Sequence, residues 1–311
     1  MRLYHQGLLC LCSVVATALV AAEETVWLSD LPAALVQAGR EEKHVLVDFT
    51  GSDWCSACIS LRRNILDAKP FMQWAGKRFV LVEVDIPQKP ILPAGLLEKN
   101  KAVAEAYGVA AFPTIMVLNA RGQVTGGFLG YVGQVEAAVA PLEDALRVSA
   151  LFDQAVALTG SRKAQVLMEA YRLFPGGKAF AKHREKLEED ILKHDPDNVT
   201  GLKDILQVRA QAELFEAERS AVSPRSAAYG QLLERQLAES LEPNRAAVLM
   251  AKCQYALGTA RSVDDLEQAK SLLEVVIRLQ PPDEAKETQA YLERFFTDLP
   301  ALLRLLQQNR R

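Results

Sequence analysis

A hydrophobic run that breaks at a glycine and resumes on two cysteines constrains this chain more than any other stretch. Val45-Leu46-Val47-Asp48-Phe49 is rich in β-branched, aliphatic and aromatic residues, the composition of a strand. A turn at Gly51-Ser52 follows, and a helix is predicted from about Cys55 to Leu66. Cys55 and Cys58 then fall in the first helical turn, three apart on one face, within reach of a disulfide. At a helix start the unpaired backbone N–H groups and the macrodipole favour negative charge, so Cys55 is expected to supply thiolate near neutral pH. Cys58, one turn inward, is expected to be more buried and to attack a mixed disulfide once formed. Trp54 shields one side of the sulfur and offers a flat apolar contact.

Two structural uses of the pair compete with this one. A static disulfide closing so small a loop restricts the unfolded chain little, which makes it a poor staple. Zinc needs four ligands, and no second Cys-x-x-Cys is present; His44, His183, His194 and Cys253 lack zinc-site spacing. The strand-turn-helix setting favours redox chemistry over both.

The rest of the composition narrows the partners. With 311 residues the chain has room for two domains, and 36 Lys plus Arg against 39 Asp plus Glu leave a net charge of −3. That balance gives no basic footprint for nucleic acid and no acidic tail. Residues 1–22 read as an export signal: Arg2 precedes an apolar run from Leu8 to Val20, and small residues through Ala22 come before Glu23. The run is short for a membrane span, although an uncleaved anchor is the alternative. No later segment is apolar enough to cross a membrane. An exported, soluble protein is expected, cleaved near Ala22 and placed in a bacterial periplasm. Cys10 and Cys12 leave with the signal, so Cys55, Cys58 and Cys253 remain, too few for a disulfide framework.

Beyond the signal the pattern changes once. Residues 23–150 mix strand and helix: a helical period over Trp27 to Ala38, strands at 45–49, 79–85, 115–118 and 124–129, and helices at 97–107 and 134–148, the last with Pro141 as a possible kink. Such alternation predicts a sheet with helices on both faces. Residues 151–311 read as helices alone, near 163–174, 180–194, 201–219, 226–241, 246–257 and 284–297. Leu266, Ala269, Leu273 and Val276 form the buried stripe of one more, with Ser262 and Asp265 at its start. The stretch Tyr255 to Pro281 resembles a degenerate tetratricopeptide unit. Cys253 is expected to be a core thiol.

Several separated motifs, in order, resemble the thioredoxin family. Leu46-Val47-Asp48-Phe49 with Trp54-Cys55-Ser56-Ala57-Cys58 resembles its central strand and active site. Tyr107-Gly108-Val109-Ala110-Ala111-Phe112-Pro113-Thr114 resembles the segment that bears its cis-proline, and Asn119 to Val124 with Gly130 resembles its terminal hairpin. The resemblance, over Val45 to Gly130, implies an α/β thioredoxin fold followed by the helical region. It implies Cys55 as nucleophile, Cys58 as resolving thiol, and a cis bond before Pro113 that brings backbone beside the sulfurs to pair with a bound peptide. It also implies that Asp48 is a buried carboxylate which moves the proton of the resolving cysteine. Burial should raise its pKa. Trp54, Phe112 and Pro113 are the expected substrate contacts.

Three departures matter. Gly51-Ser52-Asp53 makes the strand-to-cysteine connection one residue longer than in the commonest thioredoxins. Glu83 stands where many of them carry a lysine that pairs with the buried aspartate; facing Asp48, it would raise at least one of the two pKa values. Ser56-Ala57 contains no histidine to stabilise the thiolate, which argues for a reductase or weak isomerase. The expected activity is thiol-disulfide exchange on cysteines of other exported proteins. It needs no cofactor beyond the cysteine pair and a redox partner to reset it. The rival is a binding or assembly protein whose helical half recruits partners and whose thioredoxin fold is a platform.

Overall fold

The computed structural model describes residues 26–308; the export-signal segment 1–22 lies outside them. Within that range the chain divides into two compact units, the first ending at Asp190 and the second beginning at Ile191.

Five strands form the sheet of the first unit: β1 Trp27–Leu28, β2 His44–Thr50, β3 Phe79–Asp85, β4 Thr114–Leu118 and β5 Val124–Leu129. Their spatial order is β1-β3-β2-β4-β5. β2 runs parallel to β3 and antiparallel to β4, and β5 closes the edge as a hairpin with β4. Central β2 and β4 are apolar along almost their whole length because helices cover both faces.

The helices of the first unit that pack on the sheet are α1 Leu31–Glu41, α2 Ser56–Leu61, α3 Lys69–Ala75, α4 Leu96–Ala106 and α5 Val135–Val156. Leu46, Leu81, Ile115, Val117 and Phe128 point to one face, where Leu61, Leu66, Phe71 and Leu142 fill the core. Strand alternation places Asp48 and Glu83 on that same face, and the register sets them side by side. On the other face Phe49 meets Tyr107 at the end of α4.

The mixed sheet and the helical region after it match the expected fold class. Four local differences from the expected elements stand out. Trp27 begins a two-residue edge strand beside Leu81 and Val82 rather than a helix, because α1 starts only at Leu31, where the Asp30 carboxylate accepts the Ala33 N–H. The helix after Cys58 widens at Arg62–Leu66 into a π turn. Helix α3, with Pro70 in its first turn, lies outside the expected elements. Helix α5 runs through Pro141 to Val156.

Helices α6 Gly160–Leu173 and α7 Ala181–His194 follow. Lys182 Nζ donates to the Ala106 carbonyl at 2.9 Å, and His183 Nε2 lies 2.9 Å from the Tyr107 carbonyl oxygen. Part of the helical run therefore braces the segment that leads to Phe112 and Pro113.

The second unit contains α8 Leu202–Ser220, α9 Ala227–Glu239, α10 Glu242–Thr259, α11 Val263–Leu279, α12 Pro282–Phe295 and α13 Leu299–Gln308. The stripe Leu266, Ala269, Leu273 and Val276 is buried. Ser262 and Asp265 form a reciprocal capping box at the start of α11. Cys253 is packed against Ala269 in this core.

Candidate active site

Strand β2 ends at Thr50 and the chain turns through Gly51 toward the cysteines. A Cβ on Gly51 would stand 2.5 Å from the Trp54 ring, so glycine lets the indole fold back over the turn. The lengthened connection is pinned by two carboxylates. Asp85 at the end of β3 accepts the Ser52 N–H at 2.9 Å and the Ser52 hydroxyl at 2.6 Å. Asp53 accepts the backbone N–H of Gln88 at 2.9 Å and of Lys89 at 2.8 Å. Trp54 Nε1 donates to the Ile86 carbonyl at 2.9 Å. The proline-rich segment after β3 is thereby stitched to the turn before Cys55.

Cys55 caps α2: its sulfur accepts the Cys58 N–H at 3.3 Å. The two cysteines are joined in a disulfide with their Cα atoms 5.2 Å apart. Cys58 is 2% exposed and Cys55 is 9% exposed, the inequality expected of an attacking and a resolving sulfur. The Phe112–Pro113 peptide bond is cis. It brings the Phe112 carbonyl oxygen to 3.8 Å from Cys55 Sγ. Trp54, 42% exposed, meets Phe112 edge-on with ring centres 5.9 Å apart. Trp54, Phe112 and Cys55 therefore share one rim, with Pro113 buried behind them.

Asp48, on the central strand that leads into the pair, is buried. Burial is the main cause that pushes its carboxyl up to about 7; Arg62 opposes the rise, while Glu83, Asp85 and Asp67 add to it. Arg62 was not among the residues singled out in the sequence. Its Nη2 lies 2.9 Å from Asp48 Oδ2 and 2.8 Å from Glu83 Oε1. The available signal was spacing: Arg62 is one helical turn after Cys58 and faces the same way. Asp53 and Asp85 were likewise unread as anchors. A cleft of about 290 Å³ opens beside Cys58, Arg62 and Glu83. Among the described residues no group of His, Cys, Asp or Glu side chains is arranged to hold a metal ion. No described helix is long and apolar enough to cross a membrane.

A buried cysteine pair joined at a helix start, a cis-proline loop beside it and a buried carboxyl of raised pKa on the strand leading into it define a thiol-disulfide oxidoreductase built on a mixed five-stranded sheet. Residues 31–145 match the thioredoxin-like domain family. The disulfide bond reductase DsbH of Chlamydia pneumoniae is 34% identical over 113 residues, 34% of this chain and 68% of that protein. The thioredoxin-related protein DsbJ of the same organism is 28% identical over 97 residues, 31% of this chain and 28% of that one. A solved structure of a DsbH oxidoreductase aligns with 43% of this chain and 92% of its own at 32% identity, with a TM-score of 0.38. The chain belongs to the thioredoxin-like family.

Proposed function

We propose that this protein is exported and reduces disulfides in other exported proteins. The observation that carries the reading is the Cys55–Cys58 disulfide at the start of α2, with Cys55 Sγ beside the Phe112 carbonyl oxygen. Cys55 attacks a substrate disulfide and one substrate sulfur leaves. Cys58 then gives up its proton to Asp48 and attacks Cys55, which releases the second substrate sulfur as a thiolate. Two electrons pass from the pair to the substrate, and a redox partner must restore them. The pair is the only redox group this exchange requires. Trp54, Phe112 and Pro113 form the surface on which a cysteine-bearing peptide lies.

Ser56-Ala57 between the cysteines, without a histidine, supports reduction or weak isomerisation rather than oxidation. The chlamydial relative DsbH is a disulfide bond reductase, which points the same way. The apolar N-terminal run before Ala22 supports export to a periplasm. Residues 23–150 are the redox module on this reading, and the helices of 151–311 recruit substrate or partner on a tetratricopeptide-like scaffold.

The partner-recruiting role has its own support, a groove of about 1070 Å³ between α9, α10 and α11, bordered by Glu234, Lys252, Tyr255 and Arg261. Cys58→Ala is the test of the main reading: covalent mixed disulfides with exported proteins should accumulate on Cys55 in the native compartment. If no adducts form and the double Cys55→Ser/Cys58→Ser variant functions normally in its host, the helical half is the working part.

A further inference from the structure

On the reading of Cys55 and Cys58 as a working redox pair, Cys58 must lose a proton before its sulfur can attack. Asp48, the buried carboxyl of the strand that leads into the pair, stands in register with a second carboxylate, Glu83, on the same face of the sheet. Two adjacent carboxylates, one fully buried, repel unless a cation lies between them. Arg62 fills that place. Its Nη2 reaches Asp48 Oδ2 at 2.9 Å and Glu83 Oε1 at 2.8 Å, and its Nη1 lies 3.8 Å from Asp67 Oδ1. The guanidinium is held from a third side by Trp27, with Cζ 4.1 Å from the ring centre. At the other end of the carboxyl, Asp48 Oδ1 is buried with no hydrogen-bond partner.

We propose that Arg62 and Glu83 are positioning residues for the proton of Cys58. Arg62 anchors Asp48 by Oδ2 and leaves Oδ1 as the proton-accepting atom, while Glu83 draws off part of the guanidinium's charge and keeps Asp48 ready to bind that proton. Cys58, Arg62 and Glu83 line one cleft, together with Thr50, Ser52 and Asp67, so the donor sulfur and the bridging cation border the same space. Other charges facing Asp48 are Asp85 from β3 and Asp67 beyond the π turn; β4 places apolar Ile115 opposite it.

The step conserves atoms and electrons. Asp48 takes the Cys58 proton, the Cys58 sulfur bonds to Cys55, and the bond between Cys55 and the substrate sulfur breaks. The substrate leaves as a thiolate with the electron pair, so the dithiol is oxidised and the substrate reduced by the same two electrons.

Signs separate this role from simple support of the fold. Removing the Glu83 charge strengthens the hold of Arg62 on Asp48 and favours the ionised carboxylate. Removing the Arg62 charge favours the protonated form. The test is the pH dependence, from about 5 to 9, of peptide-disulfide reduction by the reduced full chain, followed in wild type, Glu83→Gln, Arg62→Gln and Arg62→Lys. Asp48→Asn identifies the limb of the profile that belongs to Asp48. The midpoint of that limb should move down in Glu83→Gln and up in Arg62→Gln, each by about one pH unit, and return toward wild type in Arg62→Lys. Unmoved midpoints, or shifts in the same direction, in a protein that still reduces disulfides would overturn this inference alone. If the wild type reduces no disulfide, the proposed function and this inference fall together. Should Arg62→Gln not fold, the direction in Glu83→Gln decides.

Discussion

Arg62 and Asp48, fourteen positions apart in sequence, meet at 2.9 Å between the end of α2 and the central strand, one side chain partly exposed and the other buried. The contact does not bring Asp48 back to an ordinary carboxylate, because burial outweighs it and the carboxyl rises to about 7. A group whose folded pKa exceeds its unfolded value near 3.8 binds its proton more tightly when folded. Stability is therefore lost as pH climbs from about 4 to about 7 and stays reduced above that. Asp48→Asn removes this cost. The variant should be more stable than wild type at pH 8, by about 4 kcal/mol at most, the linkage equivalent of moving a carboxyl from 3.8 to about 7. The gain should shrink below pH 7 and vanish near pH 4. Urea unfolding at several pH values checks it; a variant equally destabilised at every pH would contradict it.

Cys253 should behave unlike the pair. It is 1% exposed, its sulfur lies 3.4 Å from the Ala269 carbonyl oxygen, and burial pushes its thiol up to about 11. Thiolate is the reactive form, so after mild reduction an alkylating reagent should label Cys55 first and spare Cys253 until the chain unfolds. Peptide mapping after timed iodoacetamide quenches reads the order directly.

The hairpin beside the site tolerates no side chain at one position. Gly127 has φ +142° and a Cβ there would run into the Ile115 carbonyl oxygen across the β4–β5 pairing. Gly127→Ala should cost about 3 kcal/mol or more in stability. Gly133→Ala meets open space and should stay within about 0.5 kcal/mol of wild type. Thermal melts of the two variants side by side make the comparison.

Asp53 has a local role. Both its oxygens accept backbone N–H groups of the segment after β3, so Asp53→Ala should free the Gln88 and Lys89 amides. Their hydrogen exchange should accelerate by tenfold or so, on the order of the free energy of one charge-assisted hydrogen bond. Amides of central β2 should be unchanged.

The strands and the cysteine helix were legible because their signals are local. Val45 to Phe49 is apolar at every position except Asp48, as a strand covered on both faces must be, and Ser262 with Asp265 announced the start of α11. Trp27-Leu28 was misread as helical because two residues of edge strand are too short to show a period; its identity comes from pairing with Leu81 and Val82. The proximity of Trp54, Phe112 and Cys55 could be anticipated from motif order. The Arg62 bridge could not, since it depends on how β3 and the π turn converge in space. Helical periodicity likewise identifies the helices between 160 and 190 without revealing that they pack within the first unit, where Lys182 and His183 hold the end of α4.

The central claim is that Cys55 and Cys58 form a working reductant, and the equilibrium reduction potential of the pair, titrated against a glutathione series, tests it most directly. A value near or below about −230 mV is expected, toward the thioredoxin end of the range. A value at or above about −180 mV would assign the pair to oxidation or isomerisation instead, and a pair that never closes to a disulfide would contradict the redox reading altogether.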